Sequence, residues 1–188
     1  MNKYVRAGVV VPLSIIKIGV TKIFHFKTFN ANPICLISPF SEISMDRTAK
    51  LHIGKKFKMR DGAKIRVRKN AELYIGNNVS VSTNNIITCR TSIYIGDDVQ
   101  FSPGVLVYDH DHDFRHPEGV KAETYQVSPI KIGNNVWIGA NSIILRGTEI
   151  GDNSVIAAGS IVKGIVPENS IYVQKRDTFI NCIQKQEK

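Results

Sequence analysis

The chain has 188 residues, 25 Lys and Arg against 16 Asp and Glu for a net charge of +9, and three cysteines. That length suits one domain with a single core, and the scattered Cys35, Cys89 and Cys182 fit neither a disulfide framework nor a zinc cluster but suit a reducing cytoplasm. The positive excess favours anionic partners: phosphates of a cofactor, a diphosphate-linked substrate, or an acidic membrane face.

Residues 1–35 are basic and apolar. The run from Val9 to Phe29 is interrupted by Pro12 and Lys17, which leaves it too short and too charged to span a bilayer. On a helix, Leu13, Ile16, Val20 and Ile23 or Phe24 share a face, with Lys17 and Lys22 away from it. Such a helix either caps the open end of a following repeat or lies on an anionic membrane surface at the inner face of the cell membrane. Between residues 50 and 69, nine Lys or Arg meet only Asp61. Nucleic acid is not the expected partner, because the strand Lys64-Ile65-Arg66-Val67-Arg68 lacks interleaved aromatics for base stacking.

From residue 36 to 173 one aliphatic residue recurs in a six-residue rhythm. It runs through Ile43, Ile53, Met59, Ile65, Ile75, Val81, Ile87, Ile95, Phe101 and Val107, then without a break through Ile132, Ile138, Ile144, Ile150, Ile156 and Val162. A period of six matches neither the 3.6-residue helix nor two-residue strand alternation, so the chain must turn a corner every six residues. Three faces make an eighteen-residue coil, and residues eighteen apart stack into a β-helix of five to six coils. The long steps, Ile43 to Ile53, Ile65 to Ile75, Ile87 to Ile95 and Val107 to Ile132, all fall at the same corner. Gly76-Asn77-Asn78, Gly96-Asp97-Asp98, Gly133-Asn134-Asn135 and Gly151-Asp152-Asn153 supply turn residues that tolerate left-handed backbone angles. Small or β-branched residues, Val79, Val99, Val136, Ser142, Thr148, Ser154 and Ser160, precede the inward aliphatics by two.

The longest insertion, residues 108–129, opens Tyr108-Asp109-His110-Asp111-His112-Asp113 and continues to His116, so it holds three of the chain's five histidines. Imidazole is suited to taking a proton near neutral pH, and neighbouring carboxylates fix its tautomer. The candidate base is therefore one of the clustered histidines His110, His112 and His116. Residues 174–188 form a C-terminal tail.

The stretch Pro129-Ile-Lys-Ile-Gly-Asn-Asn-Val-Trp137-Ile-Gly-Ala140, with Ile150-Gly-Asp-Asn-Ser154 and Ala158-Gly-Ser-Ile-Val-Lys163-Gly-Ile-Val-Pro167, resembles the hexapeptide-repeat acyltransferases. The likeness is greatest to the galactoside and maltose O-acetyltransferases and to the sugar O-acetyltransferases of bacterial polysaccharide clusters. It implies a left-handed parallel β-helix, a cytoplasmic homotrimer with grooves between prisms as active sites, and acetyl-CoA as co-substrate with no metal required. It also implies O-acetyl transfer to a sugar hydroxyl, as in surface polysaccharide synthesis, without separating O- from N-acetylation.

By the same resemblance the catalytic histidine follows the proline of the Phe101-Ser-Pro-Gly-Val strand by nine residues, which gives His112, with His110 second. CoA would run past Trp137, Gly139, Ala140, Ala158, Lys163 and Gly164. Lys175 and Arg176 would meet its phosphates in place of the family's usual Gly-x-Pro turn. The acceptor would meet Ser82, Asn84, Arg90 and Asp109. Ser82 stands where galactoside enzymes carry an asparagine and Arg90 where they carry an acid, which points to an anionic, nucleotide-linked or lipid-linked sugar. Two other readings of the prism are a zinc lyase of the γ-carbonic anhydrase kind and a noncatalytic scaffold.

Overall fold

A computed structural model describes residues 3–175 and 177, with side chains from residue 10 onward. After an N-terminal helix, Lys3–Phe24, the chain winds into three parallel sheets that form the faces of a prism. Sheet 1 contains Phe29–Ala31, Lys50–Ile53, Glu72–Ile75, Ser92–Ile95, Ile130–Ile132, Glu149–Ile150 and Ile165–Val166. Sheet 2 runs from Leu36–Ile37 to Ile171–Tyr172, and sheet 3 from Glu42–Met45 to Ile161–Val162. The ladder therefore starts at Phe29, upstream of the residue 36 expected from the hexads.

The stacking follows the rhythm in the sequence. Ile132 pairs with Ile150, Ile138 with Ile156 and Ile144 with Val162. Upstream, Ile53, Ile75, Ile95 and Ile132 form one column, and Met59, Val81, Phe101 and Ile138 a second. All of these side chains are buried in one continuous core. Each coil has three corners: corner 1 between sheets 1 and 2, corner 2 between sheets 2 and 3, and corner 3 between sheet 3 and the next coil's sheet 1. The long insertions all leave corner 3, between Met45 and Lys50, Val67 and Glu72, Cys89 and Ser92, and Tyr108 and Ile130.

Corner 1 is held by a side-chain ladder. The backbone N–H of Lys55 donates to Asn77 Oδ1, that of Asn77 to Asp97, that of Asp97 to Asn134, and that of Asn134 to Asp152, over 2.6–2.9 Å. These bonds hold the Asp152 carboxyl below the usual range, the Asn134 N–H being the leading cause. Coil spacing there demands glycine. A Cβ on Gly76 would lie 2.6 Å from the Gly96 carbonyl oxygen, closer than any real contact. The small residues at the corners are buried as well, and Ser142, Thr148, Ser154 and Ser160 turn their hydroxyls to backbone carbonyls.

The helix closes the first coil. Ser14 Oγ donates to the Ile37 carbonyl at 3.0 Å and accepts from the Ile37 N–H at 2.8 Å, replacing the strand that a preceding coil would have supplied. Lys17 Nζ donates to the Ser38 and Ser41 carbonyls, and Ile18 is buried. Capping is thus carried by the Ser14, Lys17 and Ile18 side of the helix. Lys17 points at the coil, and burial pushes its ammonium below the ordinary lysine range.

Candidate active site

The histidine loop is a small antiparallel hairpin standing on corner 3. His110–His112 pairs with Tyr125–Val127, placing His110 opposite Val127, Asp111 opposite Gln126 and His112 opposite Tyr125. The loop's far end is a short 3-10 turn, Gly119–Ala122. Alternation along the strand puts His110 and His112 on the same side.

Asp109 anchors this hairpin. Its side chain is fully buried and accepts from the backbone N–H groups of Arg90 (2.8 and 3.0 Å) and Thr91 (2.7 Å), and it lies 3.1 Å from His110 Nδ1. Its role is therefore to tie the hairpin to the coil below and to orient one imidazole. His110 is 12% exposed and lies edge-on between Tyr108 and Tyr125. His112 is exposed, with its ring centroid 4.7 Å from that of Tyr125. The other face of the site is cationic: the Arg90 guanidinium carbon lies 3.4 Å from the Tyr125 centroid, and its buried Nε has no hydrogen-bond partner among the described residues. Tyr125 thus contacts both histidines and Arg90.

Sequence reasoning missed Tyr125 and Arg146. Arg146 Nε meets Asp111 at 2.5 Å and its Nη2 donates to Gln126 at 3.1 Å, clamping both hairpin strands from the coil above. Gln126 in turn donates to Asp113. A signal existed for Arg146, because both it and Asp109 follow a stacked aliphatic, Ile144 and Val107, by two residues. None existed for Tyr125, whose pairing with His112 arises only when the loop folds back.

The other candidates divide between two corners. Corner 3 holds Arg90, Asp109, His110 and His112, and farther along, the exposed Lys163 and half-buried Gly164. Corner 2 holds Ser82, Asn84, Gly139, Ala140 and Ala158, with Trp137 on the adjoining strand. Asn84 is a turn residue at φ 58°, its amide beside Gly62. Gly139 is buried against the next coil, where a Cβ would sit 2.5 Å from the Ala158 nitrogen. Ala158 and Trp137 are exposed, and Trp137 Nε1 donates to Ser102 Oγ. Lys175 is exposed beyond the last strand, and Arg176 lies outside the described residues. Within one chain, Ser82 and Asn84 are thus not brought to the histidines: a whole face of sheet 3 intervenes, roughly 15 Å of extended chain.

Cys89 and Cys35 are buried thiols. Burial pushes Cys35 up to about 11, and burial, followed by the Asp109 charge, pushes Cys89 up as well, so neither is primed as a nucleophile. Cys182 lies outside the described residues. Among the described residues no three His, Cys, Asp or Glu side chains converge to hold a metal ion. Of the coil-face histidines that a zinc lyase would call on, His52 stacks on Tyr74.

Residues 129–163 match the family model described as the hexapeptide repeat of succinyl-transferase. Among curated proteins, the chain is 45% identical over 80 residues to the galactoside O-acetyltransferase of Escherichia coli K12, covering 43% of this chain and 39% of that protein. It is 35% identical over 88 residues to the putative lipopolysaccharide biosynthesis O-acetyl transferase WbbJ of the same organism, covering 43% and 45%. The matches thus span less than half the length of these relatives. Among solved structures, a galactoside acetyltransferase in complex with coenzyme A is 26% identical with a TM-score of 0.50, covering 87% of this chain and 77% of that one. AntD, an N-acyltransferase from Bacillus cereus, superposes with a TM-score of 0.69 over 83% of each chain at 21% identity, a likeness of fold. The repeat in the sequence and the prism it builds are thus similar to those of the hexapeptide-repeat acyltransferases, with the family model itself matching residues 129–163.

Proposed function

We propose that this protein is an acetyl-CoA-dependent O-acetyltransferase acting on a sugar hydroxyl in surface polysaccharide synthesis, with His112 as general base. The observation that carries the chemistry is the braced hairpin, which presents an exposed imidazole on a rigid prism edge. The curated relatives named O-acetyltransferases and the related structure with coenzyme A support the choice of co-substrate.

His112 takes the proton from the sugar hydroxyl as its oxygen attacks the thioester carbonyl. The carbon–sulfur bond then breaks and the imidazolium returns the proton to the departing thiolate. His110, held by Asp109, positions the hairpin and the Tyr125 ring on which His112 rests. No covalent acyl-enzyme is required. Arg90, over Tyr125 and with an Nε that meets no hydrogen-bond acceptor among the described residues, suits an acceptor carrying negative charge, such as a nucleotide- or lipid-linked sugar.

The division of candidates between corners 2 and 3 supports a site shared by two chains. One chain would contribute His112 and Arg90 from corner 3. The neighbour would contribute Ser82, Trp137, Gly139, Ala140, Ala158 and Lys175 from corner 2, with the first chain's Lys163 and Gly164 along the same groove. A cyclic trimer closes such a head-to-tail contact.

The test is acetyl-CoA turnover, followed as free thiol, against a panel of neutral and anionic sugars. His112→Ala should lower kcat by about 10²–10⁴-fold with the fold intact. His110→Ala should lower it less and also lower Tm, because Asp109 loses a partner. Full activity in His112→Ala would reject the assignment, and no thiol release with any sugar would reject the activity.

A further inference from the structure

From Val10 onward the helix Lys3–Phe24 uses one side to close the prism and leaves the other without a partner among the described residues. Leu13, Ile16, Val20, Ile23 and Phe24 form that outer side, and Ile23 and Phe24 are 74% and 77% exposed. Phe26, just beyond the helix, is 68% exposed with Lys27 Nζ 5.4 Å from its ring centroid. No helix among the described residues is long and apolar enough to cross a membrane. An apolar stripe of this kind suits the boundary between headgroups and acyl chains.

Charge identifies the occupant. Residues 1–70, the helix and the first two coils, hold fifteen of the 25 Lys and Arg and only three Asp and Glu, a net charge of +12. The remaining 118 residues hold ten against thirteen, a net charge of −3. Two of the three acids in the basic half are already paired, Glu42 with Arg66 and Asp46 with Arg68, and Asp61 accepts from Ser38. Lys22, Lys27, Arg47, Lys55 and Lys56 are exposed. The molecule is therefore polarised along its axis, and its strongly basic end is the end that carries the apolar helix face. A second copy of the same basic end would be repelled, whereas an anionic lipid surface satisfies both features at once.

We propose that the N-terminal end of the prism docks on an anionic bilayer, the outer face of the helix lying in the interface and the basic residues around it meeting lipid phosphates. The histidine hairpin leaves the fourth strand of sheet 3. At ~4.8 Å per coil and ~10 Å for the helix, it would stand roughly 25 Å above the lipid, a height suited to a glycan carried on a lipid.

Binding is read without catalysis, so its outcome is separate from that of the acetyl-transfer reading. The full chain should float with vesicles of equal parts phosphatidylglycerol and phosphatidylcholine and not with pure phosphatidylcholine, and ~1 M salt should weaken the association. Ile16→Glu/Ile23→Glu, at two exposed positions, should bind about tenfold or more weakly with an unchanged circular dichroism spectrum. Phe24→Trp should shift its emission to the blue on the anionic vesicles and retain a water-like maximum on the neutral ones. Equal flotation with both lipids, unchanged binding by the double variant, or no emission shift would overturn the proposal. So would a fall in oligomer mass in the double variant without lipid present, which would assign the face to a second copy.

Discussion

Asp109 is the residue on which the hairpin depends most. Its buried carboxylate satisfies two backbone N–H groups as well as the His110 ring. Asp109→Asn would turn an amide NH₂ towards one of those donors, stranding a buried N–H at a cost of about 1–3 kcal/mol. Chemical denaturation should show that loss, with a fall in acetyl transfer greater than any change in KM. The roles of the two histidines also separate at this scale. They share a sequence context two residues apart and differ in exposure, because Asp109 fixes the His110 ring while His112 stands one step farther along the hairpin. Nothing in the Asp-His-Asp-His order conveys that difference. It depends on where the return strand lays Tyr125.

The coils show why the repeat is legible in one dimension. Each inward aliphatic meets its counterpart in the adjacent coil, so pattern and contact coincide. Gly139, besides its proposed place on the CoA track, makes room for the next coil. Gly139→Ala should destabilise the protein by about 1–3 kcal/mol through overpacking, visible as a lower Tm whether or not CoA is bound. On sheet 3, Glu42 and Arg66 form a two-point ion pair at 2.8 and 3.1 Å. The hydrogen bond from Arg66, with its charge, holds the Glu42 carboxyl below its usual range. A depressed carboxylate stabilises the fold above its ordinary range, and the contribution is lost as pH falls through the lowered value. Glu42→Gln should therefore flatten part of the acid limb of a stability–pH curve. Solvent screening keeps its cost at neutral pH below about 1 kcal/mol, because both side chains are about a third exposed.

For the molecule as a whole, the proposed groove requires two chains, and this can be tested by mixing. His112→Ala alters corner 3, whereas Ala158→Trp would fill the exposed strip at corner 2; each alone should be inactive. Refolded together, the two variants should recover about a quarter of wild-type activity, the share of randomly formed interfaces with both halves intact. No recovery in a mixed oligomer would place the whole site within one chain. The sequence by itself determined the prism, its register and the edge from which the histidine loop leaves, because in a solenoid every core contact joins residues one repeat apart, and a fixed period is visible in one dimension. Only the tertiary structure decided which side of the helix caps the first coil, that Arg146 and Tyr125 brace the histidines, and that the other candidates lie one face away. Those relations depend on chain reversal and on the direction of side chains at corners, where no period constrains the residues.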